Sequence, residues 1–401
     1  MDGKQVACRC ERVGTGDSEL VLGEFQQAAA LWLPRYAEKV QMIYLDPPFY
    51  TGRKFSRRIQ LEEKVVTAGT YGDRFESMDR YVDMMREALR VSRQLLCPEG
   101  VLFLHVDYRT SARMRLLLDE VFGDRQFINE IIWVYESGGR AKNHFSRKHD
   151  TIYMYGKSPS YYFDLTAVPC GTRTESRHNH MRLQTDEQGR AYRSIRSNGK
   201  EYRYYEDEPV YPSDVWTDIS HLQQRDPERV GFETQKPVRL LQRMIASSTR
   251  PGDLVADLFA GSGTTGVAAN GLGRRFLLCD RTEIAVSVAD ARLSEAGADY
   301  TLQARTVRDA SILRAEIRSE GTIRIREFQP AGGMEASLGG ISAWSAGTFE
   351  SGVYRRMTPR TPDGGALQLP DLKGGAGQPA IMTCDYLGNR RCFCLAEGVF
   401  S

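Results

Sequence analysis

The sequence LVADLFAGSGTTG, residues 254–266, decides the fold class. Its first half is an apolar run around Asp257, as in a strand that is buried on both faces of a sheet. Glycines at 261, 263 and 266 follow, and small residues continue into a helical pattern. A glycine-rich turn between a strand and a helix lets the backbone approach a nucleotide-like ligand. The stretch therefore predicts one unit of a nucleotide-binding α/β fold.

The next predicted strand, residues 276–280, ends in a second acidic side chain, Asp280. It follows Gly261 by about twenty residues, the spacing expected for an acid that binds the ribose hydroxyls of a nucleotide. Two cofactor classes fit this pattern, a dinucleotide and the adenosyl group of S-adenosylmethionine (SAM). Glycines that serve a tight turn without any ligand are the structural alternative.

The rest of the chain extends the α/β pattern. Strands are predicted at 20–22, 40–45, 101–106, 127–135 and 151–155, with amphipathic helices between several of them. Alternation of this kind predicts a mostly parallel, twisted sheet with helices on both faces. From about Asp164 to Gly231 the alternation stops, which predicts an inserted region. The polar stretch from Tyr50 to about Gly72 is interpreted as a mobile loop.

A second stretch, Asp46-Pro47-Pro48-Phe49, follows the apolar strand at 40–45. Two prolines end the strand, and Pro47 has no N–H, so the turn presents mainly carbonyl acceptors beside a carboxylate and a flat ring. Such a set can grip a planar group that carries an NH₂, as a nucleobase does. A plain strand-ending turn explains every residue except Phe49.

Charge is distributed unevenly along the chain. The net charge is +2 over 401 residues, which does not by itself indicate a nucleic-acid partner. Residues 139–203, however, hold thirteen Lys and Arg against six Asp and Glu, with Tyr192, Tyr202, Tyr204, Tyr205 and Trp216 in or after this segment. Interleaved basic and aromatic residues favour contacts with phosphates and bases over a merely solvated face. The candidate DNA contacts are Arg53, Lys54, Arg140, Lys142, Arg173, Arg177, Arg182 and Arg193.

The sequence says less about localisation and metal binding than about the fold. No apolar run is long enough to span a membrane and no signal peptide is recognisable, so a cytoplasmic protein with mostly reduced cysteines is expected. Cys8-x-Cys10 and Cys392-x-Cys394 could form a joint zinc site. Their spacing is tighter than that of typical zinc ligands, so free thiols are expected and no metal is predicted.

Taken together, these motifs resemble the DNA amino-methyltransferases of the permuted β class. Asp46 to Phe49 matches the family's catalytic D/N/S-P-P-Y/F motif, and residues 257–263 match its SAM loop, which comes later in the chain. Thr234-Gln235-Lys236-Pro237 is similar to its T-Q-K-P segment. The resemblance covers about residues 16–310 and implies a Rossmann-like methyltransferase fold with permuted motif order and an inserted target recognition region.

The resemblance also implies roles for individual residues. The implied catalytic residues are Asp46, Pro47, Pro48 and Phe49. The implied cofactor-binding residues are Asp46, Thr234, Lys236, Asp257, Phe259, Gly261, Gly263, Thr264 and Asp280, with SAM as the cofactor. The target base is expected to flip out of the duplex, stack on Phe49 and donate its amine hydrogen bonds to Asp46 and Pro47.

The resemblance leaves alternatives for substrate and partners. The family's aspartate form favours adenine N6, with cytosine N4 as the alternative. A nicotinamide-dependent oxidoreductase, a catalytically silent DNA-binding relative and a methyltransferase acting on RNA or protein are more distant alternatives. Double-stranded DNA is the expected partner, and a homodimer and a paired restriction endonuclease are compatible with the family.

The expected organisation has five parts. They are a catalytic half (1–163), a target recognition region (164–231), a SAM-binding half (232–329), a Gly- and Pro-rich linker or extension (330–375) and a C-terminal β-hairpin (376–401).

Overall fold

A computed structural model gives the fold. It describes residues 4–8, 12–13, 16–52, 54–61, 64–73, 75–135, 141–172, 181–304, 312–317, 322–329, 341–351, 353–358, 361–362, 366–368, 378–385 and 389–394. For residues 4–13 and 54–72, and for most of 312–329 and 361–368, it describes the backbone alone.

The centre of the molecule is a nine-stranded sheet. Its strands in chain order are β1 (Ser18–Leu22), β2 (Val40–Leu45), β3 (Leu96–Val106), β4 (Phe127–Val134), β5 (His149–Gly156), β6 (Val215–Trp216), β7 (Leu254–Asp257), β8 (Arg275–Asp280) and β9 (Tyr300–Gln303). They lie in the order β9-β1-β8-β7-β2-β3-β5-β4-β6, and all run parallel except β5. The predicted mostly parallel α/β sheet is confirmed.

Among the residues that the structure describes, six helices cover the two faces of this sheet. They are α1 (Phe25–Tyr36), α2 (Met78–Leu95), α3 (Ser111–Phe122), α4 (Val238–Ser248), α5 (Thr264–Gly271) and α6 (Glu283–Glu295). Short 3₁₀ turns occur at Asp124–Gln126 and Leu165–Ala167. The N-cap side chains of α2 and α6 bond to the first turn of their helices. Ser77 accepts from the Arg80 N–H, and Thr282 accepts from the Ala285 N–H.

Alternation along the strands divides the core into two layers. In β2, Met42 and Tyr44 belong to the layer under α4, α5 and α6, whereas Ile43 and Leu45 belong to the layer under α1, α2 and α3. All six residues of β2 are buried. Because β1, β2, β7 and β8 are parallel, their carboxyl ends meet at one edge of the sheet, and the residues that follow them converge there.

The stretch interpreted as a loop between Tyr50 and Gly72 is a β-hairpin, so that interpretation was wrong. Lys54–Leu61 pairs antiparallel with Lys64–Gly72, with Leu61 opposite Lys64. The two strands pair only with each other in the described part of the chain. A two-stranded ribbon needs no buried face along its length, so its residues lack the apolar alternation from which strands are predicted.

The inserted region contains its own small sheet. Leu183–Thr185, Ala191–Ser197 and Lys200–Tyr205 form three antiparallel strands, and Gly171–Thr172 pairs with Pro209–Val210. Its last part belongs elsewhere, because Trp216 lies in β6 and, with Ile219, is buried in the central core. The expectation that Trp216 is a surface aromatic of the insert was therefore wrong.

The C-terminal part of the chain continues the sheet instead of forming a linker followed by a separate hairpin. Its strands, with the two N-terminal ones, are Lys4–Cys8, Arg12–Val13, Ile312–Ile317, Thr322–Gln329, Ile341–Glu350, Val353–Arg356, Thr361–Pro362, Ala366–Gln368, Gln378–Asp385 and Arg390–Cys394. Arg12–Val13 pairs with β9, and Ile341–Glu350 pairs with Gln378–Asp385. The closing pair Gln378–Asp385 and Arg390–Cys394 is antiparallel, but it is one part of this larger sheet.

Within the described residues, no helix is both long and apolar enough to cross a membrane.

Candidate active site

The Asp46 turn lies where β2 ends at the shared edge of the sheet. Lys236, immediately before α4, donates to Asp46 Oδ2 at 2.5 Å, and its ammonium group lies 5.1 Å from the centre of the Phe49 ring. The other oxygen, Oδ1, is buried and accepts no hydrogen bond from any group that the structure describes. One half of this carboxylate is therefore neutralised, while the other is a buried acceptor without a partner.

Two cavities meet at this carboxylate. The first, which we call the acidic cavity, has a volume of about 850 Å³ and is lined by Glu24, Asp46, Asp257 and Asp280 among others. The second, which we call the aromatic cavity, has a volume of about 800 Å³ and is lined by Phe49, Trp133 and Tyr135 among others. Asp46, Thr234 and Lys236 line both cavities and form the wall between them.

The acidic cavity collects most of the residues that were predicted to bind the cofactor. Asp46, Thr234, Lys236, Asp257, Phe259, Gly261, Thr264 and Asp280 all line it, together with Pro48. Gly263 does not line the cavity but has a φ of +75° and lies against α6. Residues that the sequence did not single out complete the lining, notably Phe25, Phe75, Phe232 and Arg281.

The loop at the base of this cavity is fixed by hydrogen bonds. Asp257 accepts from the Thr265 hydroxyl at 2.6 Å and from the Phe259 N–H at 2.9 Å. Asp280 accepts from the Gly261 N–H at 3.0 Å. The buried Arg292 of α6 donates to the Ser262 carbonyl at 3.0 Å, so the following helix also holds the turn.

Burial changes the acidity of this cavity. Burial, with a smaller contribution from the charges of Asp46 and Asp280, raises the pKa of Asp257 to about 7 in spite of its hydrogen bonds. Burial also raises the pKa of Asp280. Carboxylates that repel each other in a cavity favour a ligand with positive charge, because such a ligand stabilises their ionised forms.

A buried hydrogen-bonded chain supports the aromatic cavity from below. The Tyr135 hydroxyl donates to Asp150 Oδ1 at 3.0 Å, Asp150 Oδ2 lies 3.2 Å from His105 Nε2, and the Tyr44 hydroxyl lies 2.8 Å from His105 Nδ1. Although burial acts to raise it, the pKa of Asp150 is lowered by the His105 hydrogen bond and charge. An ionised Asp150 accepts from His105 Nε2–H, and the Tyr44 hydroxyl completes the chain at Nδ1.

The same histidine positions the ring that is predicted to stack on a base. The His105 ring lies 5.9 Å from the Phe49 ring and 5.5 Å from the Trp133 ring. The stretches 104–107 and 129–133 resemble segments typical of the family. The proximity of positions 105, 133 and 150 was not predicted, because they come together only through the order of β3, β5 and β4 in the sheet.

Comparison with known proteins agrees with this geometry. Residues 40–290 match the family model N6_N4_Mtase, described as DNA methylase. The chain belongs to the DNA methylase family. The type II methyltransferase M.EcaI of Enterobacter cloacae is 25% identical over 64% of this chain and 65% of its own length. The DNA adenine methyltransferase YhdJ of Escherichia coli K12 is 28% identical over 60% of this chain and 71% of its own length.

A solved structure is also similar. The PvuII DNA methyltransferase, described as cytosine-N4-specific, is 17% identical to this methylase, covers 69% of this chain and 87% of its own chain, and has a TM-score of 0.46. The match to M.EcaI, the first relative named above, spans 65% of the length of that protein.

SAM is the cofactor of this methylase, and the acidic cavity fits it. SAM carries a positive sulfonium, and the cavity presents Asp46, Asp257 and Asp280, whose mutual repulsion a cation relieves. Phe25 and Phe259, with ring centres 5.8 Å apart, supply apolar surface for a flat adenine. When bound there, SAM supplies a methyl group that a nucleophile can take from sulfur.

The predicted DNA contacts differ from one another in their exposure. Lys142 and Arg182 are exposed, as a phosphate contact requires. Arg193 is partly buried and donates to Glu206 at 2.8 Å, so it holds the small sheet of the insert together. Arg53, Arg140, Arg173 and Arg177 lie outside the described residues, and the side chain of Lys54 does too.

The aromatic residues of the insert face inward more than the sequence indicated. Tyr192 is buried and lies 5.6 Å from the Tyr205 ring, whereas Tyr202 is exposed.

Of the four cysteines in the two Cys-x-Cys pairs, Cys8, Cys392 and Cys394 lie in the sheet formed by the chain ends. The backbones of Cys8 and Cys392 are directly opposite each other in neighbouring strands, while Cys10 lies outside the described residues. In the part of the chain that the structure describes, no three His, Cys, Asp or Glu side chains are close enough to hold a metal ion.

Proposed function

We propose that this methylase transfers a methyl group to the exocyclic N6 amine of an adenine within a specific sequence of double-stranded DNA. The observation that carries the proposal is the state of Asp46, with Oδ2 held by Lys236 and Oδ1 buried without a partner in the described structure. A buried acceptor without a hydrogen bond costs free energy unless a ligand supplies the donor. An amine N–H is such a donor.

The aromatic cavity is the place proposed for the target base. An amine inside a duplex is out of reach, so the base has to leave the stack and enter the protein. Phe49 and Trp133 offer aromatic surface to a base in this cavity, and Asp46 lies in its wall. The buried His105 ring lies 5.9 Å from the Phe49 ring and packs beside it.

The chemistry then depends on two acceptors. Asp46 Oδ1 and the Pro47 carbonyl accept the two amine hydrogens, which turns the nitrogen lone pair away from them and toward the acidic cavity. These hydrogen bonds become stronger as positive charge develops on the nitrogen, so they lower the barrier more than they stabilise the bound base. Asp46 Oδ1 can take the proton that the methylated amine releases. Lys236 keeps Oδ2 occupied throughout, so a single oxygen faces the base.

Adenine is preferred to cytosine on two grounds. The family resemblance associates the aspartate form of the motif with adenine N6, and the Escherichia coli relative is named a DNA adenine methyltransferase. Cytosine N4 offers the same amine to Asp46, so N4-methylcytosine is the alternative product.

The test uses DNA synthesised in vitro, which carries no methyl groups, incubated with SAM and the protein. Nucleoside mass spectrometry is expected to detect N6-methyladenine with the wild type. Asp46→Ala is expected to lower the rate at least about a hundredfold, as loss of a group that stabilises transition-state charge does. Asp83→Ala, on the outer face of α2, is the control and should retain activity.

Three outcomes of this test are informative. Detection of N4-methylcytosine would leave the proposed mechanism unchanged but would show that the target base is cytosine. If Asp46→Ala transfers methyl groups at the wild-type rate, Asp46 does not take part in the reaction. Absence of any methylated nucleoside on DNA of diverse sequence would contradict the proposed function.

Cytoplasmic residence is part of the proposal, because DNA and SAM are both found there. Exposed Lys142 and Arg182 are proposed to contact phosphates. A homodimer and a partner restriction endonuclease stay predictions from the resemblance.

A further inference from the structure

One side chain near the aromatic cavity is exposed to an unusual degree. Phe145 is 99% exposed, whereas the next most exposed large apolar side chain among the described residues, Leu116, is 71% exposed. Single exposed apolar residues are common on protein surfaces, but a fully exposed phenylalanine leaves its whole ring in water. Phe145 therefore needs an explanation that the folded chain alone does not provide.

The loop that carries Phe145 is held in place on its C-terminal side. The Tyr135 N–H donates to the Lys148 carbonyl at 2.9 Å, which extends the pairing of β4 with β5. The guanidinium of Arg147 lies 4.0 Å from the centre of the Tyr108 ring, and the Ser146 hydroxyl accepts from the Ala141 N–H at 3.2 Å. Residues on both sides of Phe145 thus have fixed partners, so its exposed position is set by the fold.

The segment 141–148, which carries Phe145, is joined to residues that line the aromatic cavity. The Lys148 carbonyl accepts from the N–H of Tyr135, and Tyr135 and Asp150 both line that cavity. Phe145 precedes Lys148 by three residues, so their Cα atoms are at most about 11 Å apart.

The surroundings of Phe145 are basic. Lys142 and Arg147 are exposed in the same loop. Arg109 and Arg147 both contact the half-exposed ring of Tyr108, at 4.7 Å and 4.0 Å from its centre. Positive charge around an exposed aromatic ring is the combination that brings a ring to a nucleic-acid backbone and into its bases.

We propose that Phe145 enters the base stack of the duplex and fills the space that the target base vacates. This inference rests on the proposed function, because it requires a flipped base. Flipping breaks the stacking of the target base with its neighbours, and an inserted ring restores part of that stacking. The ring leaves water on insertion, which also favours the flipped state. Arg147 and Lys142 are then placed to contact the phosphates on either side.

The experiment begins by mapping the methylated sequence with the wild-type protein and long-read sequencing. Two duplexes of that sequence are then made. In one, the target base is normally paired, and in the other it lies opposite an abasic position, so that flipping is already facilitated. Phe145→Ala, Phe145→Trp and the wild type are compared, with Leu116→Ala as the control for removal of an exposed apolar side chain on α3.

On the paired duplex, Phe145→Ala is expected to lower kcat/KM about ten- to hundredfold, as loss of one stacking ring does. On the duplex with the abasic position, the loss should shrink to about threefold or less, because less stacking has to be replaced. Phe145→Trp should retain activity on both, and Leu116→Ala should match the wild type. A 2-aminopurine placed at the target should show a smaller fluorescence increase with Phe145→Ala, while SAM affinity stays unchanged.

Equal activity of Phe145→Ala and wild type on the paired duplex would overturn the inference. So would a loss of the same size on both duplexes, because that result would place the effect in the loop and not in flipping. A wild-type protein that methylates no DNA would instead overturn the proposed function, so the two failures are distinguishable.

Discussion

At the scale of the residue, the two oxygens of Asp46 have different surroundings. Oδ2 is bound by Lys236, which also lies near the Phe49 ring, so one cation touches both the acid and the aromatic group of the motif. Local sequence motifs identify all three residues. It did not indicate that Lys236 pairs with Asp46, because 190 residues separate them in the chain.

A pH dependence belongs to the residue scale as well. Since the pKa of Asp257 is raised to about 7, this group loses its proton between about pH 6 and pH 8. The positive sulfonium of SAM favours the ionised form. SAM affinity should therefore fall as the pH is lowered through 7, by at most about tenfold per pH unit for one linked proton.

Calorimetric titration at pH 6, 7 and 8 measures this effect. S-adenosylhomocysteine, which lacks the sulfonium charge, should show a smaller dependence over the same range. Asp257→Asn should flatten the SAM curve, because an amide does not titrate. Its oxygen can still accept from the Phe259 N–H, and its NH₂ can donate to the Thr265 hydroxyl in place of the bond that the carboxylate accepts. A SAM affinity that is constant from pH 6 to pH 8 would contradict the role assigned to Asp257.

At the scale of the element, the glycine-rich turn is a close contact between α5 and α6. A Cβ on Gly263 would lie 2.7 Å from the Ala289 Cβ and 2.9 Å from its Cα, both part of α6. Gly263 also has a φ of +75°, a backbone conformation that other residues adopt at a cost. The turn can therefore pack this closely against α6 only while position 263 has no side chain.

Gly263→Ala should thus destabilise the protein by more than the backbone conformation alone explains. Gly273 is the matched control, since its φ is +70° and a Cβ there would meet nothing within 4 Å. Gly273→Ala should cost about 1 kcal/mol from the backbone, and Gly263→Ala about 1–3 kcal/mol more from overpacking. Urea unfolding measures both. If the two variants lose the same free energy of unfolding, α6 shifts to make room for the added methyl group without a measurable cost.

Elements differ in how far the sequence predicts them. β2 was predicted with its observed ends, because an apolar run closed by Pro47 and Pro48 has one interpretation. Ile341–Glu350 was missed because glycine pairs on either side of it dominate the local composition. The positions of His105, Trp133 and Asp150 in one site depend on strand order, which no local pattern contains.

At the scale of the whole molecule, the C-terminal sheet is attached to the methylase core by a buried ion pair. Arg356 donates to Asp290 of α6 at 3.0 Å, and Asp290 is 2% exposed. The Tyr300 hydroxyl of β9 bonds to the same carboxylate, and Arg390 lies 3.6 Å from its other oxygen. Three parts of the chain thus depend on one buried charge.

Arg356→Met should therefore destabilise the whole protein and not only its tail. Removal of one partner of a buried pair costs about 3–5 kcal/mol, and the lower end applies here because Arg390 stays near Asp290. Arg355→Met, the exposed neighbour on the same strand, should change stability by less than about 0.5 kcal/mol. Unfolding is measured in urea by tryptophan fluorescence, together with SAM binding. Loss of the tail strands with unchanged SAM affinity would contradict this coupling.

The order of strands in the sheet has a consequence for synthesis on the ribosome. β1 lies between β9 and β8, so the strand Ser18–Leu22 is synthesised well before residues 275–303, with which it pairs. At about 5–20 residues per second, its neighbours leave the ribosome roughly a quarter of a minute to one minute later. During that time β1 and one edge of β2 are exposed and apolar. The nascent chain is therefore expected to need a chaperone that shields its first hundred residues until the last parallel strand has been made.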